Sequence, residues 1–164
     1  MKIILVRHGD ADAEIPEGLD DEGRALTTRA RLALPGHFAP LASRIGTPNI
    51  IYMSPLVRAV QTATLLAQAL RYEGLLRTTR NLFPDGPVGA LESLLSEHET
   101  VVLVGHQPSM GAAAAHFLGL GAFPKPVQPG TVIGLERGEG IAPRLLFYAA
   151  PGQPVLDGLP LDTE

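Results

Sequence analysis

The chain has 164 residues, 45% of them apolar and 18% charged, a balance that supports one globular domain with a sizeable core and excludes a disordered chain. A net charge of −4 and a pI near 5.7 exclude a broad basic surface for nucleic acid or anionic lipid, so any anion site has to be local. There is no cysteine, which rules out disulfides, thiolate metal sites and a cysteine nucleophile.

Lys2 precedes only a short apolar run that ends at Arg7, unlike a signal peptide, and no apolar stretch approaches the roughly 18 residues of a membrane span. The expectation is a soluble, cytoplasmic protein with no membrane partner, organised as one domain over residues 1–150 followed by a Pro/Gly-rich tail over 151–164. That tail is expected to lie extended on the surface or to be partly disordered.

In chain order, Lys2 to Val6 is an apolar, β-branched run without alternation, the pattern of a strand buried on both faces. It stops at Arg7-His8-Gly9. Residues 10–24 are acidic, with Pro16 and Gly18, and read as a solvated loop in which Asp10 either orients His8 or caps the turn. Arg24, before Leu26-Thr27-Thr28, reads as a solvated arginine, the alternative being that it adds charge near the mouth of a pocket. Thr27 resembles a helix cap, with Ala30, Leu32 and Leu34 as the apolar positions that follow, and Pro35 and Pro40 predict a kinked or split helix to about Ser43.

Ile50 to Met53 is a second short buried strand, and Ser54-Pro55 reads as the cap and first position of a helix. Its predicted stripe is Leu56, Val60, Ala63, Ala67 and Leu70, with Arg58 off the stripe in the first turn. A weaker extended segment over 75–82, a turn at Asp85-Gly86-Pro87 and a short helix over 89–96 with Leu91, Leu94 and Leu95 inward come next. Val101 to Val104 is the clearest buried strand, and it ends in Gly105-His106. A helix from about Ser109 to a Gly119 cap follows, then a proline-containing loop and two strands, Thr131 to Glu136 and Arg144 to Tyr148, paired antiparallel.

Strands alternating with helices call for a three-layer α/β/α sandwich whose central sheet is mostly parallel with an antiparallel edge. The carboxyl ends of parallel strands share one edge, where open sheets of this kind place their ligands. Arg7-His8, the Ser54 helix start with Arg58, and His106 with the Pro108 helix start all reach that edge. Two arginines, two histidines and two helix amino ends make a cationic pocket suited to a phosphoryl group. A histidine there can attack phosphorus and carry it covalently. These residues alone do not say which histidine attacks.

Arg7-His8-Gly9, Ser54-Pro55-Leu56-x-Arg58-Ala59-x-Gln61-Thr62 and Gly105-His106 after a Val-rich strand resemble the histidine phosphatase, or phosphoglycerate mutase-like, superfamily. Arg7 to Ala11, Leu26-Thr27-Thr28 and His106-x-Pro108 are similar to its small phosphohistidine phosphatases of the SixA type. The resemblance runs from Met1 to about Gly119. It implies that His8 is the nucleophile that becomes phosphorylated, and that Arg7, Arg58 and His106 bind the phosphoryl group, with Gly9 and Ser54 in the substrate site. It implies no metal and no other cofactor, a phosphorylated substrate, and inorganic phosphate as product.

Larger members of that superfamily donate the leaving-group proton from a Glu or Asp in the segment that here spans Leu82 to Glu99. Asp85 is the nearest candidate, although a turn Asp beside Gly and Pro also has a purely structural account. Positions 83 to 99 provide only 17 residues between Leu82 and Thr100, too few for a helical insertion that encloses small metabolites. The expected pocket is open. It would admit a phosphohistidine on another protein; the alternatives are a small phosphoester, such as a sugar phosphate or nucleotide derivative, and a phosphate-binding module without catalysis. His37 and His98 read as solvated and His116 as packed in an apolar helix.

Overall fold

The apolar runs picked out in the sequence meet in one six-stranded sheet. A computed structural model describes residues 1–158, and its strands are β1 (Lys2–Arg7), β2 (Ile50–Met53), β3 (Leu75–Thr78), β4 (Thr100–Gly105), β5 (Val132–Gly138) and β6 (Ile141–Ala149). They lie in the order β3-β2-β4-β1-β5-β6. Strands β3, β2, β4 and β1 pair parallel, while β5 runs antiparallel to both β1 and β6. β1 and β4 are central, which is why their inner residues are buried on both faces and carry no polar alternation.

Helices cover both faces. On one side α1 (Thr28–Phe38), α2 (Ala42–Ile45) and α3 (Val57–Leu70) pack on Ile4, Val6, Ile51, Val102 and Val104. On the other, α4 (Ser109–Leu118) and the 3₁₀ segment Val88–Leu94 pack on Ile3, Leu5, Val101 and Leu103. The alternate residues of each strand thus serve opposite layers, the period-two geometry of a sheet covered twice. The observed fold is the expected sandwich, mostly parallel with an antiparallel edge.

Thr27 caps α1 by accepting the Ala30 N–H at 3.0 Å. The buried face of α1 is Ala30, Leu34 and Phe38, spaced four apart, whereas Leu32 is 79% exposed because it lies across the helix from them. The chain then splits as the prolines predict, with a 3₁₀ turn over Ala39–Leu41 before α2. Gly119 ends α4 in the left-handed conformation with φ 71°, the cap that glycine adopts without strain.

Two expectations about α3 do not hold. Ser54 is not its cap: Leu56 occupies the N-cap position with extended backbone and no side-chain cap bond. The buried face is also rotated, formed by Ala59, Ala63, Leu66 and Ala67 with Arg58 and Thr62 beside them, while Val60 and Leu70 are half-buried. Beginning the helix at Val57 turns Arg58 inward toward the strand ends.

Within 151–158, Leu156 exchanges two 2.9 Å backbone hydrogen bonds with Tyr148. The rest of the tail, 159–164, lies outside the described residues. Among the described residues no helix is long and apolar enough to cross a membrane.

Candidate active site

The carboxyl ends of β1, β2 and β4 open into a cavity of about 340 Å³ whose wall includes Arg7, His8, Arg58 and His106. β1 delivers Arg7 and His8, the first turn of α3 delivers Arg58, and the residue after β4 is His106. The register carries them there: Arg7 lies opposite Gly105, and the His8 N–H donates to the Gly105 carbonyl at 2.9 Å.

His8 is held at one nitrogen. Its Nδ1 stands 2.6 Å from the carbonyl oxygen of Gly9. A carbonyl only accepts, so Nδ1 bears the proton and Nε2 keeps its lone pair. Burial is the main force pushing the His8 pKa down to about 4; the Gly9 bond opposes it and the charges of Arg58, Arg7 and Arg24 add to it. The ring is therefore neutral at pH 7 with a free nucleophilic nitrogen.

His106 stands edge-on to His8 with ring centroids 4.9 Å apart. It is 2% exposed, and burial, followed by His8, Arg58 and Arg7, lowers its pKa to about 3 against an opposing pull from Asp21. Its Nε2 is 2.8 Å from the hydroxyl of Ser54, and that hydroxyl accepts the Leu56 N–H at 3.3 Å. Ser54 can give its own proton to Nε2, which leaves Nδ1–H as a donor.

Three buried nitrogens here have no hydrogen-bond partner in the protein: Arg7 Nε, Arg58 Nε and His106 Nδ1. Each guanidinium is anchored at Nη1 by a loop carbonyl, Arg7 by Val127 at 2.9 Å and Arg58 by Asp21 at 2.9 Å. Leaving a buried donor unpaired is costly, so this arrangement is suited to an anion that supplies several acceptor oxygens at once. Among the described residues no group of three or more His, Asp and Glu side chains is placed to hold a metal ion.

The remaining candidates fall elsewhere. Gly9 and Ser54 do not line the cavity; they stand behind it. The Gly9 N–H donates to Thr62 Oγ1 at 3.0 Å while its carbonyl holds His8, so both of its backbone groups are used inward. A Cβ at Gly9 would come within 2.7 Å of Leu34 Cδ1, which explains the glycine as a close approach of β1's end to α1. Ser54, fully buried, supports His106. Asp85 is exposed on its turn and absent from the cavity wall, to which its neighbour Pro84 contributes instead.

Sequence reasoning also missed contributors. Asp21, read as part of a solvated loop, lines the cavity with Asp10; Arg24 lines it too, as its alternative reading had it, and is bonded to Asp21 at 2.7 Å. His37 is half-buried rather than solvated, and its Nε2 donates to the Gly130 carbonyl at 3.0 Å. The Gly130 N–H in turn lies 3.1 Å from the carbonyls of both Arg7 and His8. His116 is exposed and pairs with Glu92 at 2.9 Å instead of packing in the core.

No family model matches the chain, and no curated protein matches it in sequence. Solved structures do match. The protein histidine phosphatase SixA complexed with tungstate is 22% identical, with 92% of this chain and 97% of that one covered at a TM-score of 0.81. A structure assigned to phosphohistidine phosphatase SixA of Agrobacterium tumefaciens is 24% identical over 92% and 97%, TM-score 0.77. A mycobacterial glucosyl-3-phosphoglycerate phosphatase in complex with vanadate (VO3) is 19% identical over 88% and 96%, TM-score 0.61. The chain therefore has the histidine phosphatase, phosphoglycerate mutase-like fold, with two arginines and two histidines gathered at the carboxyl edge of its parallel strands.

Proposed function

We propose that the protein is a phosphatase that carries the phosphoryl group covalently on His8, and that its substrate is phosphohistidine on another protein. The observation that carries this reading is the neutral His8, locked by the Gly9 carbonyl with Nε2 free, among three buried donors that lack protein partners. In the first step the Nε2 lone pair attacks phosphorus; the P–Nε2 bond forms as the bond to the leaving group breaks and its electron pair departs with that group. Arg7, Arg58 and His106 bind the equatorial oxygens and stabilise their charge. Water then attacks phosphorus, the P–Nε2 bond breaks, Nε2 recovers its pair, and inorganic phosphate leaves with the water's two protons.

A phosphohistidine whose second ring nitrogen is protonated departs as neutral imidazole. No acid from the enzyme is then required, which agrees with an exposed Asp85 outside the cavity wall. The segment 83–99 contributes only Pro84 to that wall, so no insertion encloses the mouth against a protein-borne ring. The higher TM-scores to the two SixA structures lean the same way. The fold shared with a glucosyl-3-phosphoglycerate phosphatase keeps a small phosphoester as the second reading.

The test compares kcat/KM for a phosphohistidine-bearing protein domain with a panel of small phosphoesters, in wild type and His8→Ala. A preference of about 10³-fold or more for phosphohistidine, lost in the variant, establishes the first reading. A preference for the small esters establishes the second, and absence of turnover on every substrate returns the protein to a phosphate-binding module.

A further inference from the structure

Arg58 is 4% exposed, yet an exposed loop residue reaches it. Its Nη1 donates to the main-chain carbonyl of Asp21 at 2.9 Å and its Nη2 to the Asp21 carboxylate Oδ2 at 3.1 Å. A single residue thus engages both terminal nitrogens of the guanidinium and leaves Nε without a protein partner. The other carboxylate oxygen, Oδ1, accepts Arg24 Nε at 2.7 Å, and Arg24 Nη1 donates to the Asp12 carbonyl at 3.0 Å.

One carboxylate therefore bridges two arginines, and both arginines line the cavity that contains His8. Asp21 is itself placed by a 3₁₀ turn, Asp21–Gly23, whose start is capped by Asp20 accepting the Glu22 N–H at 3.0 Å. Asp10 also lines the cavity, so its wall carries three arginines, Arg7, Arg24 and Arg58, against two aspartates, Asp10 and Asp21. Arginine loses much rotamer freedom when it binds, and a guanidinium held in advance has already given that freedom up.

We propose that Asp21 is a positioning residue that holds Arg58 in place and recruits Arg24 as a third arginine of the phosphoryl site. This rests on the phosphatase reading above, since it assigns residues to the same pocket. In this role Arg24 serves a phosphoryl oxygen, or the group that leaves with it, from the cavity wall. The competing account of the same contacts is that Asp21 occupies the anion's place and has to be displaced. The two accounts differ in sign.

Calorimetric titration with tungstate and with inorganic phosphate decides between them, using wild type, Arg24→Ala, Asp21→Asn and the double variant, with thermal unfolding to show that each is folded. Positioning predicts that each single variant weakens oxyanion binding by about 10-fold. It also predicts that the double variant is little weaker than either single one, because the two residues act as a unit. Free guanidinium ion should restore part of the affinity of Arg24→Ala. Unchanged binding by Asp21→Asn overturns the positioning role, and tighter binding overturns it in favour of competition. Unchanged binding by Arg24→Ala, or fully additive losses, overturns the recruitment of Arg24. If wild type binds neither oxyanion, the phosphatase reading itself falls and takes this inference with it.

Discussion

At the scale of single residues, the chemistry proposed here depends on two histidines kept neutral by burial. Replacing His8 with Ala removes the proposed nucleophile, and turnover should fall to background while the oxyanion site keeps its arginines. An alkaline quench, which preserves a P–N bond, should after incubation with labelled substrate find phosphorylated enzyme in wild type and none in the variant. Arg58→Ala removes one charged donor from the developing phosphoryl charge and should cost about 10²- to 10³-fold in kcat/KM. Arg58→Lys should recover only part of that loss, because an ammonium cannot present a planar fork.

The same two residues predict a pH dependence of stability. Their folded pKa values, about 4 for His8 and about 3 for His106, lie below the ordinary imidazole value. Between those values and about 6.5 the unfolded chain binds more protons than the folded one, so stability is complete above about pH 6.5 and falls as pH drops toward 3. Urea midpoints measured at pH 7.5 and 4.5 should show this loss. It should be smaller in the double variant His8→Gln/His106→Gln, and a saturating oxyanion should oppose it by favouring the protonated imidazoles.

At the scale of elements, the site depends on how β1's end is braced by segments distant in sequence. His37, in the last turn of α1, donates to Gly130, whose N–H faces the carbonyls of Arg7 and His8. His37→Ala should destabilise the fold by about 1 kcal/mol for the lost hydrogen bond and also lower kcat, as read by denaturant unfolding beside steady-state kinetics. Gly9→Ala brings a methyl within 2.7 Å of Leu34 Cδ1, so the packed Leu34 side chain or β1's end has to shift. Overpacking of this kind costs about 1–3 kcal/mol, and here it also displaces the carbonyl that sets the His8 tautomer. Leu34→Ala should relieve part of the Gly9→Ala defect, a coupling that a double-mutant cycle reads directly.

At the scale of the whole molecule, the sheet is both core and scaffold. Leu5 on β1 is fully buried among Leu103, Met110 and Ile133 in the layer beneath α4. Leu5→Ala should cost about 2–5 kcal/mol through lost burial and the cavity left behind. Tungstate at 100 times its Kd should raise stability by about 2.7 kcal/mol in wild type and in Leu5→Ala alike, because it binds only the folded site. The increment should vanish in the His8→Ala/Arg58→Ala variant, which separates damage to the core from damage to the site.

Much of this was legible in the linear chain. The apolar runs of β1, β2 and β4, the prolines that split α1 from α2 and the Thr27 cap are local patterns, set by burial periodicity and backbone chemistry within a few residues. Because parallel strands share an edge, that local reading was enough to gather Arg7, His8, Arg58 and His106. The roles of Asp21, His37 and Ser54 were not legible. Asp21 meets Arg58 across 37 positions, Ser54 meets His106 across 52, and His37 meets Gly130 across 93. No periodicity encodes such contacts. An acidic loop has the same composition whether it is solvated or clasps a buried arginine, and only the packing of α3 against the sheet, which turns Arg58 inward, decided which it would be.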